Sequence, residues 1–73
     1  MKKSTKLKKE KKLIENEAND FLNTIMDQFS NGKPVAYYLG VKYTRSKFRQ
    51  QMLEFSKEIY LINNEIIKAL EEE

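Results

Sequence analysis

The chain of 73 residues carries 14 Lys or Arg against 11 Asp or Glu and contains neither Cys nor His. A chain of this length builds one small core, so two separate domains are excluded. The missing Cys and His exclude disulfide scaffolds, the usual zinc sites and Ser-His or Cys-His catalysis. We therefore expect a small protein that is not an enzyme and that uses no cofactor or metal.

The start of the chain is rich in lysine, but no apolar region of about seven to fifteen residues follows it, so a secretory signal is not expected. No window approaches the roughly twenty apolar residues of a membrane-spanning helix. The sequence predicts a cytoplasmic protein for which a membrane is not the expected partner.

The first half of the chain has apolar residues at helical spacing. They are Leu7, Ile14, Ala18, Phe21, Leu22, Ile25, Met26 and Phe29. The pattern predicts a helix that begins near Ser4 or Thr5 and stops at Asn31-Gly32, because Asn and Gly readily adopt the left-handed conformation that ends helices. Lysines are unfavourable at a helix N-terminus. We therefore expect residues 1–12 to form a basic arm that frays, ahead of a single helical domain over residues 13–73.

The middle of the chain, residues 33–45, supports two interpretations. Pro34 suits the first position of a helix and Gly40 the position after its end, which predicts a short helix over residues 34–39 and a turn over residues 40–43. The alternative is a β-hairpin with Gly40-Val41 as a two-residue turn, because Val, Tyr and Thr favour strands. We prefer the short helix.

The second half, from Thr44 onward, predicts one long helix. Its heptad stripe consists of Phe48, Met52, Phe55, Ile59, Ile62, Ile66 and Ala69. A second row, Leu53, Tyr60 and Ile67, widens this stripe beyond what one partner helix needs. This row is a candidate homodimer contact, with packing against the short helix as the other explanation.

The predicted fold class is therefore all-α, with two long antiparallel helices and a short intervening helix. An α–β-hairpin–α arrangement is the alternative. In this hairpin of helices Phe29 should lie near Phe48, and Ile14 near Ile62.

The charges are distributed in four blocks of alternating sign. Residues 1–12 have a net charge of +6, residues 13–32 of −4, residues 33–49 of +5 and residues 50–73 of −4. Antiparallel helices bring the first block alongside the glutamates of the C-terminal tail, which predicts charge compensation, with a flexible arm that binds phosphates or acidic protein surface as the alternative. The third block lies at the other end, away from that tail, and tyrosines are interleaved with it. Such a patch is typical of a surface that binds nucleic acid or an acidic protein.

The middle segment contains a small residue, a glycine four positions later, and apolar residues around them, namely Val35, Ala36, Leu39, Gly40 and Val41. This pattern resembles the first half of a helix-turn-helix DNA-binding unit, and the resemblance covers residues 35–50. In that family the counterpart of Ala36 packs where two helices cross, that of Gly40 turns the chain, and that of Val41 fills the core. The resemblance implies that Thr44 caps a recognition helix whose first turns enter the major groove. Ser46 departs from the pattern, which expects an apolar residue there.

The functional prediction is a small DNA-binding regulatory protein that contacts duplex DNA through residues 33–50. The predicted contact residues are Lys33, Lys42, Tyr43, Thr44, Arg45, Lys47, Arg49 and Gln50. The alternative is a protein that binds a host protein and inhibits or adapts it, since compact charge-striped chains look like those that phages and mobile elements encode. In that case Tyr37 and Tyr38 are the expected anchors, because Tyr and Arg are enriched at the energetic centres of protein interfaces.

Overall fold

The computed structural model describes residues 2–73, which form two long helices joined by a small β-hairpin. The elements are α1 (Lys3–Ser30), β1 (Ala36–Tyr38), β2 (Val41–Tyr43) and α2 (Arg45–Glu72). The helices are antiparallel, since the rings of Phe29 and Phe48 lie 6.0 Å apart at one end and Ser4 contacts Glu73 at the other. The molecule measures 50 × 19 × 18 Å. Its two short dimensions are those of a single pair of packed helices.

The short helix predicted over residues 34–39 is wrong, and the hairpin alternative is correct. β1 and β2 are antiparallel and pair Ala36 with Tyr43 and Tyr38 with Val41. The two-residue turn is therefore Leu39-Gly40 and not Gly40-Val41. A two-stranded hairpin is marginal by itself, but here it lies on an aromatic surface of the helices, and this tertiary support favours the strands over a helical turn.

The strand conformation also removes the first helix of the helix-turn-helix arrangement. Residues 36–38 are extended, so no helix precedes α2 at the distance that such a unit requires. Val41 is 43 % exposed and does not fill the core, and Leu39 lies at the outer end of the hairpin. Ala36 is completely buried, as the resemblance implies for its small residue, but it packs from a strand.

The core consists of two clusters along the helix pair. The cluster at the hairpin end is aromatic and contains Ala18, Phe21, Ile25, Phe29, Ala36 and Phe55. The cluster at the other end contains Leu7, Ile62, Ile66 and Ala69. Ile14 packs against both, which confirms its predicted position near Ile62. The hairpin end therefore holds the larger part of the core.

The lysine-rich segment is helical from residue 3, in contrast to the frayed arm expected over residues 1–12, of which Met1 lies outside the described residues. The side chain of Leu7 is buried, and Ser4 is almost completely so. The Ser4 hydroxyl donates to the Glu73 carboxylate at 2.8 Å, and the Ser4 backbone N–H donates to the same group at 3.1 Å. These contacts satisfy an N–H group at the start of α1, where the first four have no partner within the helix.

The lysine run and the C-terminal glutamates compensate each other's charge through the electrostatic field and not through direct ion pairs. Among residues 2–73 the one ion pair within 4.0 Å joins Lys57 to Glu54, at 3.8 Å, on the surface of α2. The hydrogen bonds from the Ser4 backbone and hydroxyl lower the pKa of Glu73, and the nearby charges of Lys2 and Lys8 lower it further. The tail carboxylate is thus held ionised beside the lysines without pairing directly with any of them.

Candidate nucleic-acid interface at the hairpin end

The β-hairpin is attached to α1 by two side chains of that helix. Gln28 uses both ends of its amide, because Nε2 donates to the Tyr37 carbonyl at 2.7 Å and Oε1 accepts from the Tyr37 N–H at 2.8 Å. The Tyr38 hydroxyl donates to the Asp20 carboxylate at 2.8 Å. This hydrogen bond is the main reason why the pKa of Tyr38 is raised, so the phenol remains protonated. Both contacts hold the hairpin in one orientation on the helix pair.

The structural roles of Gln28 and Asp20 could not be predicted from the sequence. Gln28 lies in the last turns of α1 among polar residues, and its spacing is that of an ordinary solvated position. Its amide bonds to the edge of β1 as a neighbouring strand would, which is visible only when the hairpin is in place. No local signal in the sequence marks it.

The tyrosines of the segment divide into two groups. The rings of Tyr38 and Tyr43 pack edge-on against Phe21, with centroids 5.2 and 4.9 Å away, so both are half-buried parts of the core. Tyr37 points to the opposite side of the strand and is exposed. Of the two predicted partner anchors, therefore, Tyr37 is free to contact a partner and Tyr38 is occupied with packing.

Thr44 ends the hairpin and begins α2. Its Oγ1 accepts a hydrogen bond from the Lys47 backbone N–H at 3.1 Å, which is the standard contact of a helix N-cap. The capping role that the sequence predicts is confirmed. The cap sets the direction of α2 immediately after the strand and so fixes how its first turn lies relative to the hairpin.

The five cations of residues 33–49, which we call the basic tip, are all exposed around this end of the molecule. They are Lys33, Lys42, Arg45, Lys47 and Arg49. None of them takes part in an ion pair within the part of the chain that the structure describes. The tip therefore keeps its positive charge available to a partner.

The cations of the first turns of α2 lie on two flanks. On one flank the guanidinium of Arg45 sits over the Phe29 ring at 4.7 Å, and Arg45 and Arg49 line a groove with Met26. On the other flank the ammonium of Lys47 lies 5.2 Å from the centre of the Tyr43 ring and 3.4 Å from the Lys42 carbonyl. Cation–π contacts of this kind restrict the side chains without neutralising them.

The remaining predicted contact residues are placed less centrally. Lys33 lies in the loop before the hairpin, and its backbone N–H donates to the Gln28 carbonyl at 3.3 Å. Gln50 is exposed on α2 and lines a shallow groove that continues to Leu53 and Tyr60. The structure thus brings Lys42 and Lys47 together, brings Arg45 and Arg49 together, and separates the two pairs across α2.

The described residues contain no group of three or more acidic side chains that could hold a metal ion. None of the helices within residues 2–73 is both long enough and apolar enough to cross a membrane.

Comparison of the chain with protein-family models, with curated proteins and with solved structures finds no significant match.

Proposed function

We propose that this is a cytoplasmic, non-enzymatic regulatory protein that binds duplex DNA through the basic tip and the β-hairpin. The supporting observation is the concentration of five exposed cations, without an acid in residues 33–49, around a two-stranded ribbon that lies on the helices. Phosphate neutralisation by Lys and Arg supplies most of the affinity of such surfaces. The protein acts by occupying DNA, since a bound chain blocks the site for other proteins.

The ribbon suggests a mode of contact different from a recognition helix. The major groove of B-DNA is wide enough for an α-helix or for a two-stranded β-ribbon. In this protein the ribbon carries Tyr37 and Lys42, which the register places opposite each other on the exposed side. Tyr37 is the proposed groove contact. The proposed phosphate contacts beside it are Lys33, Lys42, Arg45, Lys47 and Arg49.

The test is a titration of labelled duplex at several salt concentrations. If the five cations of the basic tip each contact a phosphate, the slope of log affinity against log salt should be about −4.5, a loss of about 500-fold between roughly 50 and 200 mM salt. Replacing Lys42 and Arg49 together by Ala should reduce the slope to about −2.7. These two are chosen because neither side chain has a cation–π contact that supports the fold.

The matched control is the double variant Lys57→Ala, Lys68→Ala, which removes the same charge from α2 away from the tip. It should leave the slope near −4.5. An equal decrease in both double variants would show that binding depends only on net charge. A wild-type protein without affinity for duplex at low salt would overturn the proposal. Tighter binding of single-stranded DNA or RNA than of duplex would contradict duplex DNA as the ligand.

A second candidate function, binding of a protein partner by the hairpin, is favoured by Leu39. This residue is 86 % exposed and has a φ of 49°, while Gly40 has a φ of 80°. Two positive φ values define a tight turn that prefers Asn-Gly or Gly-Gly, and Leu there is strained by about 1–2 kcal/mol. A strained, exposed leucine in the turn of the hairpin is explained if its side chain inserts into an apolar pocket of a partner.

This candidate predicts opposite effects of one substitution on stability and on binding. Leu39→Asn should increase the free energy of unfolding by about 1 kcal/mol, since Asn tolerates the left-handed conformation. If the leucine is an anchor, the same variant should lose any protein captured by the wild type. Leu13→Asn is the control, because Leu13 is a similarly exposed leucine on α1. Unchanged capture by Leu39→Asn would exclude the leucine as an anchor.

A further inference from the structure

The outer surface of α2 carries an apolar row that nothing in the molecule covers. Leu53, Tyr60 and Ile67 are 63 %, 66 % and 53 % exposed. They are spaced by seven residues and therefore lie on one face of the helix. Leu53 and Tyr60 also line the same shallow groove. We call these three residues the outer row.

The outer row is on the side of the helix pair that faces away from the β-hairpin. The hairpin is bound by Gln28 and Asp20, on one side of α1. Met26 is on the other side of α1, and there it shares a groove with Arg49 of α2. Leu53 follows Arg49 by one helical turn and so belongs to the same face. The hairpin therefore cannot account for the second apolar row, which was one explanation of the wide stripe.

We propose that the outer row is the interface of an antiparallel homodimer in which the two α2 helices cross a two-fold axis at Tyr60. Such an axis opposes Tyr60 to its own copy, and it opposes Leu53 to the Ile67 of the second chain, because both are seven positions from Tyr60. A row of three large apolar side chains then meets an identical row along the helix.

The charges of α2 favour a second copy of this chain as the partner that covers the outer row. They also favour the antiparallel orientation of the two helices. The same axis opposes Arg49 to Glu71 of the second chain, since each is eleven positions from Tyr60, and both are exposed. This pairing belongs to the dimer without DNA, and a phosphate takes the place of the carboxylate when DNA is bound. The two faces are thus complementary, with the basic start of α2 meeting the acidic end of its copy. A parallel arrangement would instead bring together two segments 33–49 of charge +5 and two segments 50–73 of charge −4.

The thickness of the molecule supports this pairing. With a cross-section of 19 × 18 Å, the chain has one layer of core between two helices. A domain of this size buries little apolar surface, so it gains stability when a second copy covers more of that surface. Two copies joined through α2 form a four-helix arrangement in which that helix is covered on both apolar rows. The two basic tips then lie at opposite ends of the dimer.

The mass in solution, measured without DNA by sedimentation or light scattering at micromolar concentration, tests whether the dimer exists. The wild type should have a mass of about 17 kDa, twice the 8.7 kDa of one chain. Tyr60→Glu should return the mass of a single chain, because the axis brings two like charges together. Leu61→Glu should leave the dimer intact, since Leu61 is 60 % exposed but lies on another face of the same helix. A wild type at the mass of one chain would overturn the proposal.

Cysteine cross-linking tests the orientation, and the chain contains no Cys of its own to interfere. Chains with Leu53→Cys mixed with chains with Ile67→Cys should form a disulfide between the two variants on oxidation, because antiparallel packing opposes these positions. Predominant links between two Leu53→Cys chains would establish the parallel arrangement and refute the antiparallel one. Both experiments are independent of nucleic acid, so their outcome does not depend on the proposed DNA binding.

Discussion

Replacing Phe21 by Ala should lower the free energy of unfolding by about 3–5 kcal/mol, the largest effect expected of any single substitution in this protein. Phe21 is 1 % exposed, and its ring is within 5.7 Å, centre to centre, of four other aromatic rings. Those rings belong to Tyr38, Tyr43, Phe48 and Phe55. One side chain thus joins α1 to both strands and to α2.

The consequence of this loss depends on the small size of the protein. At about 0.05–0.15 kcal/mol per residue, the total stability expected for a chain of this length is about 4–11 kcal/mol. Removal of Phe21 therefore costs a large part of this stability, and all of it at the lower end of the range. Denaturant titration followed by circular dichroism measures the effect, at one fixed protein concentration because a dimer would make stability concentration-dependent.

The matched control for Phe21→Ala is Leu13→Ala, which truncates a large apolar side chain that is mostly exposed on the same helix. It should change the free energy of unfolding by about 0.5 kcal/mol or less. A loss below about 1 kcal/mol for Phe21→Ala would contradict the position of this ring at the centre of the aromatic cluster.

The two long helices could be predicted because their signals are local and agree with one another. The heptad stripe from Phe48 to Ala69 and the capping residue Thr44 define α2 without reference to the rest of the chain. The pairing of Phe29 with Phe48 follows from two helices and a short connection. Periodicity and connection length together determine this part of the fold.

The segment between the helices could not be predicted in the same way, because its local signals conflict. Pro34 and Gly40 are typical of helix ends, whereas the tyrosines favour strands. The conflict is resolved by groups distant in sequence, namely the Gln28 amide on the edge of β1 and the Phe21 ring beneath both strands. The hairpin also requires a positive φ at Leu39, a conformation that the intrinsic preference of leucine does not favour.

The position of the basic tip at one end of the molecule could be predicted, but the shape of the surface around it could not. The block of five cations follows from the sequence, and antiparallel helices place it away from the glutamate tail. Lys47 and Arg49 are two positions apart, so a helix directs them to different flanks. That Arg45 and Lys47 lie over the Phe29 and Tyr43 rings depends on the hairpin, which the preferred interpretation lacked.

Replacing Ala36 by Leu should separate the contribution of the hairpin's geometry from that of its charge. Ala36 is completely buried in β1 between the strand and the helices, and its partner across the ribbon is Tyr43. Extra methylene groups in a packed core cost about 1–3 kcal/mol, and the two-stranded ribbon can relieve this strain by lifting off the helices. We therefore expect helix content to persist while the amides of β1 and β2 lose protection from hydrogen exchange.

The same variant keeps every cation of the basic tip, which makes it informative for DNA binding. If the ribbon enters the groove in the orientation that the helices fix, Ala36→Leu should weaken the affinity for duplex, because the ribbon must then become ordered on binding. The salt slope should stay near −4.5, because the phosphate contacts remain. Tyr37→Leu adds a leucine at the neighbouring, outward-facing position and should leave the protection of the strands unchanged. Affinity equal to wild type in Ala36→Leu, with the strands unprotected, would mean that the cations bind DNA without the ribbon.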